Sequence, residues 1–295
     1  MLGMQTLCLT NRCNLACTYC WYQTGLATYP QALLTARDYD EWFTTCGQIE
    51  PLEVAFLSGG EPTLRGDFVQ ILTTVHSHFP SVVVLSNGVD IEPELCAQLA
   101  ERGTVVHISL DHVSSGIPDR VRGGTNRTLA SLERLSALGV PMQVTYVMTA
   151  RNHTDLALVV EYCRSRGIAL EINVVAVPRM HPLAVPALPE DLRRQIVAVI
   201  EEAADLLKRP AYYAGLARYL VTGRLRPVSR CRAATSSVFI ESDGAVFLCG
   251  QRRTGADALG RITAFDPASI LAAHASAVRQ RPAGPCVSLN CLTVA

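Results

Sequence analysis

Lysine is almost absent from this chain of 295 residues: Lys208 is the only one, and the rest of its 26 basic side chains are arginines. The bias reads as the trace of a GC-rich genome rather than as mechanism. Net charge is absent as well. Acidic residues also number 26, so the composition builds no field for a polyanion and argues against nucleic acid as a main partner. Charged residues make up only 18% against 49% hydrophobic, which excludes a disordered chain. No apolar run is long enough for a membrane span; Leu156–Val160 and Ile196–Ile200 are among the longest, and polar or charged residues bound both. Met1–Cys13 lacks the basic segment and apolar core of a secretory signal. We therefore expect a cytoplasmic protein with no membrane partner.

Cysteine, by contrast, is plentiful. A cytosolic chain has little use for disulfides, and the 11 cysteines are odd in number and unevenly spread. Metal binding or thiol chemistry is the better reading.

Strand-like runs alternate with amphipathic stretches over the first 175 or so residues. The expected strands are Gln5–Leu9, Glu53–Leu57, Val82–Leu85, Val105–Ser109, Gln143–Met148 and Leu170–Val174. Helices are expected at Ala36–Cys46, Asp67–His78, Pro93–Glu101, Arg127–Leu138 and Thr154–Ser165, with Gly103, Gly139 and Gly167 as stops. Strict βα alternation calls for a parallel sheet with helices outside, and periodicity alone leaves an open sheet and a partial barrel equally open. Pro178, Pro182, Pro186 and Pro189 read as a linker, followed by helices at Glu190–Leu207 and Tyr212–Thr222. Strands at Val238–Glu241 and Ala245–Leu248 flank a Ser242-Asp243-Gly244 turn, and Pro267–Arg279 reads as a last helix. The resulting division is 1–180, a helical linker at 181–230, and 231–295.

Directly after the first strand, Cys13, Cys17 and Cys20 stand in a C-x3-C-x2-C spacing. Three thiolates on one loop can hold three irons of a [4Fe–4S] cluster and leave the fourth open; a zinc knuckle or buried free cysteines are the alternatives. Three further motifs follow successive strands: Gly59-Gly60-Glu61-Pro62, Ser86-Asn87-Gly88, and Ser109-Leu110-Asp111 with Arg120, Arg122 and Gly123. The cysteine loop, with Tyr19 before its third cysteine, resembles that of the radical S-adenosylmethionine (SAM) enzymes, and the other motifs match that family in order. The resemblance covers about residues 5–175 and implies a partial (β/α)6 TIM-like barrel. It also implies a SAM-binding [4Fe–4S] cluster on Cys13, Cys17 and Cys20. Tyr19, Gly59, Gly60, Glu61, Pro62, Ser86, Asn87, Asp111 and Arg122 would contact SAM, the glycines letting backbone approach the ligand and Glu61 taking its ammonium.

Four more cysteines, Cys231, Cys249, Cys286 and Cys291, lie in the last quarter. Gly244-x4-Cys249 with Cys231 upstream resembles the opening of the family's twitch extension, a small α+β domain with one auxiliary [4Fe–4S] cluster. A zinc site on the same thiolates is the alternative. Cys8, Cys46, Cys96 and Cys163 sit within strand or helix patterns and read as packing, Cys8 with a chance of facing a barrel lumen.

The iron–sulfur strand starts so early that no peptide-recognition domain is expected ahead of it, which favours a small-molecule substrate. The resemblance extends to the aminoglycoside epimerases of the superfamily. It implies removal of a hydrogen atom from one carbon of an aminoglycoside, with Cys249 returning hydrogen to the opposite face and Cys231, Cys286 and Cys291 holding the auxiliary cluster. Cys249 as an ordinary fourth ligand stands beside that reading. A flavodoxin or ferredoxin would supply electrons. Asp111, Glu171, Glu241 and Asp243 are the carboxylates available to a polycationic substrate. A dehydrogenase of an aminocyclitol or sugar alcohol, and a non-catalytic iron–sulfur or zinc sensor, are the rival functions.

Overall fold

The computed structural model describes residues 2–20, 33–114, 119, 121–175, 177, 180–223, 237–250, 258–263 and 267–280. Six parallel strands come first: β1 (Met4–Cys8), β2 (Val54–Ser58), β3 (Ser81–Ser86), β4 (Val105–Ser109), β5 (Met142–Met148) and β6 (Ala169–Val174). Between them run α1 (Ala36–Ile49), α2 (Phe68–His78), α3 (Pro93–Glu101), α4 (Thr125–Ala137) and α5 (Leu156–Arg166). The strands pair in chain order, β1 to β6, with no reversal. Uninterrupted order is the mark of a barrel wall, whereas a doubly wound sheet reverses at a switch point. The fold is thus mixed α/β with a parallel, partial TIM-like barrel.

Period-two alternation sets the two faces of the wall. In β2, Ala55 and Leu57 are fully buried under the helices, while Val54, Phe56 and Ser58 are half-buried on the lumen side. The wall does not close, so β6 would present unpaired backbone groups. Two later helices cover it: α6 (Glu190–Glu202) and α7 (Pro210–Thr222). Tyr212 donates to the Ile172 carbonyl at 3.2 Å, the Ile172 N–H donates to the Tyr213 hydroxyl at 3.0 Å, and the Leu170 N–H donates to Leu206 at 3.1 Å. The helix expected over Glu190–Leu207 therefore ends at Glu202, because Leu206 and Leu207 turn away to meet β6.

On the other side, β7 (Ser237–Ile240) pairs in parallel with β1, and β8 (Ala245–Phe247) and β9 (Ala258–Arg261) follow antiparallel. The expected hairpin turn is present: Gly244 donates to the Glu241 carbonyl at 2.8 Å with φ +89°, a conformation that favours glycine. β9 is a strand the sequence reading did not foresee. The last helix is α8 (Pro267–Gln280). One hydrophobic core runs through all these segments, with Leu7, Tyr146, Val185, Leu216, Ile240 and Ile270 among its members. Among the described residues no helix is long and apolar enough to cross a membrane.

Candidate active site at the strand ends

Every early motif lies where a strand of the barrel ends. The chain beyond β1 keeps pairing with the chain beyond β2: Leu9 donates to the Ser58 carbonyl at 2.8 Å, Gly60 to Thr10 at 2.7 Å and Glu61 to Arg12 at 2.8 Å. A Cβ on Gly59 would lie 2.3 Å from the Thr10 carbonyl oxygen, and one on Gly60 2.3 Å from that of Arg12. These glycines thus have a packing role that the motif alone does not reveal. They make room for the cysteine loop, whose backbone passes directly over them.

Glu61 is fully buried and works as a hub. Its Oε1 accepts from the Thr63 hydroxyl at 2.7 Å and the Ser86 hydroxyl at 2.9 Å, and its Oε2 accepts from the Asn87 N–H at 2.7 Å. Burial raises its pKa, and those hydrogen bonds only partly offset the effect. A cation against the remaining lone pair of Oε2 would complete this environment. Asn87 in turn donates to Asn14 at 2.7 Å, and its Oδ1 accepts from Val89 at 2.8 Å. Arg65, which the sequence reading passed over, donates to the Leu9 carbonyl at 2.8 Å and to Leu34 at 2.9 Å while paired with Asp67 at 2.6 Å. Its nearness to the Gly-Gly-Glu-Pro motif was the available signal.

The third-cysteine end of the loop is anchored across the barrel. Tyr19 donates its hydroxyl to Asp111 Oδ2, Arg122 donates to the same oxygen at 2.9 Å, and the Val147 N–H reaches Asp111 Oδ1 at 2.8 Å. The Arg122 guanidinium lies 5.5 Å from the Tyr19 ring centroid, and the Thr18 N–H donates to Val121 at 2.8 Å. Three residues expected to touch SAM thus bind one another.

Cys17 is buried, and Cys13 and Cys20 are half-buried. Burial raises the pKa of Cys13 and is the main cause that brings that of Cys17 to about 11; the Arg122 charge opposes the shift at Cys17, and Cys20 nearby adds to both. Gathered thiols held this far from ionising need positive charge to become ligands, and an iron–sulfur cluster supplies it, so the donor set fits. Among the described residues no three Cys, His, Asp or Glu side chains converge as they would on a single ion. A cubane spreads its ligands over separate corners.

Cys249 follows β8 and is half-buried. Phe239 and Phe247, paired across β7 and β8, pack with Cys8, and Cys20 of the loop leans on this cluster. A Cβ on neighbouring Gly250 would lie 2.8 Å from the Phe239 ring. Cys46, Cys96 and Cys163 are wholly buried in the hydrophobic core. Cys231, Cys286, Cys291 and Arg120 lie outside the described residues.

Below the strand ends the lumen holds a cavity of about 500 Å³. Its wall includes His107 and Ser109 of β4, Gln143 and Thr145 of β5, and Glu171 and Asn173 of β6. Glu171 is the only one of the four candidate carboxylates that lines it. Asp111 is committed as above, Asp243 pairs with Arg261 at 3.1 Å, and Glu241 is buried beside the hairpin turn. Burial lowers the pKa of His107; the Glu171 charge opposes the shift, and the Lys208 and Arg209 charges add to it.

The family model for the radical SAM superfamily matches residues 7–177. The mycofactocin maturase MftC of Mycolicibacterium smegmatis is 28% identical over 255 residues, 82% of this chain and 62% of that protein. A probable GTP 3',8-cyclase of Methanothermobacter thermautotrophicus is 27% identical over 261 residues, 82% of each. Native anSMEcpe with bound AdoMet shares the fold, with a TM-score of 0.74 at 15% identity over 98% of this chain and 94% of that one. The chain spans less than two-thirds of the length of the first curated relatives it matches.

Proposed function

Since the chain belongs to the radical SAM superfamily, whose members use a [4Fe–4S] cluster and SAM, we propose that it is an epimerase of a carbohydrate-type small molecule. The substrate is an aminoglycoside inverted at one carbon, as neomycin C epimerase turns neomycin C into neomycin B. Cys13, Cys17 and Cys20 hold the catalytic cluster, and Glu61 takes the SAM ammonium with Ser86 and Asn87 fixing its carboxylate. When bound, cluster and SAM supply one electron and a carbon radical able to remove a hydrogen atom from the substrate. The chain's task is to hold substrate and hydrogen donor on opposite sides of the reacting carbon.

Cys249 is that donor. Its S–H bond breaks as a C–H bond forms on the inverted face. The thiyl left behind takes one proton from water and one electron, which an auxiliary cluster would supply. Cys231, Cys286 and Cys291 hold that cluster in a twitch domain over 231–295, beyond the barrel of 1–180 and the helices of 181–230. Flavodoxin or ferredoxin is the electron source. The observation that supports this reading is the shared aromatic cluster: the residue next to Cys249 packs on Phe239, and Phe239 belongs to the cluster that Cys20 touches.

Anaerobic incubation with SAM, reductant and neomycin C in heavy water tests it. The expected product has one deuterium at the inverted carbon and forms one per SAM consumed. The Cys249→Ala variant keeps both clusters and forms 5′-deoxyadenosine without inverted product. A product lacking two hydrogens means a dehydrogenase. No 5′-deoxyadenosine at all means a sensor protein.

A further inference from the structure

The lumen cavity adjoins the site above it. Ser109 is two residues before Asp111, and Thr145 two before Val147, whose N–H binds Asp111. Ser109 and Thr145 face each other across the β4–β5 ladder, Thr145 pairs with Glu171 on β6, and Asn173 is the next lumen residue along β6. The side chains of Ser109, Thr145 and Asn173 have no hydrogen-bond partner among the described residues. A lumen lined with free hydroxyls and an amide is a poor core and a good wall for a hydroxylated ligand. The volume lies in the ordinary range for a small-molecule site.

Glu171 differs from its neighbours because each of its oxygens already accepts a hydrogen bond. Gln143 donates to one oxygen at 2.7 Å and Arg209 to the other at 2.6 Å. Arg209 is not confined to that pairing. Its side chain is 36% exposed, so water reaches it, and its guanidinium also lies 4.5 Å from the Tyr212 ring centroid, a contact made alongside the pairing that does not depend on it. The Tyr212 hydroxyl, bound to the Ile172 carbonyl, holds that ring in place. Lys208 stands at the exposed rim, where solvent screens it.

We infer that this cavity seats an amine-bearing saccharide ring, with Glu171 taking a substrate ammonium in exchange for Arg209. The inference deepens the reading above and rests on it for the substrate class. The exchange swaps one cation for another against the same carboxylate. Arg209 thus keeps Glu171 oriented in the free enzyme, then withdraws from it into water. Ser109, Thr145 and Asn173 take ring hydroxyls.

Anaerobic titration calorimetry on the SAM-loaded holoenzyme tests this, with neomycin C, neamine and their N-acetylated forms as probes. Glu171→Gln is expected to weaken the amine-bearing probes by about tenfold or more, leaving the N-acetylated ones unchanged. Arg209→Ala is expected to tighten the amine-bearing probes severalfold, because a competitor has gone. Iron content and melting temperature report that each variant is intact. If Arg209→Ala weakens binding as Glu171→Gln does, the pair is a structural brace and the inference falls. It falls equally if Glu171→Gln binds as the unsubstituted protein does, or if no amine-bearing probe binds. Glu171-dependent binding without inversion would instead overturn the epimerase reading and leave this seat standing.

Discussion

The loop of Cys13, Cys17 and Cys20 is tied to the chain beyond β2, β3 and β4, whereas Cys249 stands at the end of a strand of three residues near the sheet's edge. The first site is written in short motifs because each anchor lies directly after a strand that the fold itself aligns. The second depends on a hairpin that packs through two phenylalanines, and phenylalanines carry no signature of chemistry. Redundant anchoring lets the first loop survive the loss of one tie. It does not let it survive the loss of a thiolate.

The largest expected effect follows. Alanine at Cys13, Cys17 or Cys20 should bring 5′-deoxyadenosine formation to background, whereas alanine at Cys249 should leave it and remove only the product. Substantial 5′-deoxyadenosine from any of the first three variants would break the comparison at its root. Loss of auxiliary iron from Cys249→Ala, measured by Mössbauer spectroscopy, would make Cys249 a ligand and the two regions alike.

Next in size is Asp111→Asn. Asp111 is buried with Arg122, which is only 9% exposed, so the substitution leaves a buried guanidinium without its counter-charge. Breaking such a pair costs about 3–5 kcal/mol, read as a fall in melting temperature. An unchanged melting temperature would mean that the loop is held by its backbone bonds alone.

These ties also mark what the sequence made legible. Strand and helix positions follow from periodicity, and β6, expected at Leu170–Val174, lies at Ala169–Val174 because its apolar alternation is uninterrupted. β9 was missed because Ala258-Leu259-Gly260-Arg261 is too short to show a period. The packing role of the glycine pair has no local signal, since only the fold reveals that the Thr10 and Arg12 carbonyls occupy the space a side chain would need. Tyr19 and Asp111 are 92 positions apart, and no local pattern couples them.

Glu61→Gln comes third. Between an ordinary carboxylate pKa and the raised one, folded Glu61 keeps a proton that the unfolded chain has released, so it lowers stability as pH rises through that window. An ammonium favours the ionised form. SAM affinity should therefore rise with pH until Glu61 is ionised, and proton release should accompany binding below that point. Gln should abolish this dependence and weaken SAM by about tenfold. Iron content should not change. Equal pH profiles in both proteins would remove Glu61 from the SAM site and leave it as a brace between loops.

The smallest effect tests where bracing ends and ligand binding begins. Tyr19 resembles a SAM contact by its place before Cys20, yet its hydroxyl is donated to Asp111 and its ring lies beneath Arg122. In Tyr19→Phe, Asp111 keeps its bonds from Arg122 and Val147, so no buried charge is orphaned. The loss is one hydrogen bond to a charged acceptor, about 1.5–3 kcal/mol, and the ring still packs under the guanidinium. If Tyr19 is a brace, the melting temperature falls slightly and the SAM dissociation constant stays the same. If Tyr19 also binds SAM through its hydroxyl, the melting temperature falls in the same way and the SAM dissociation constant rises as well. The dissociation constant alone separates the two, so even this small change tells which reading of the loop is correct.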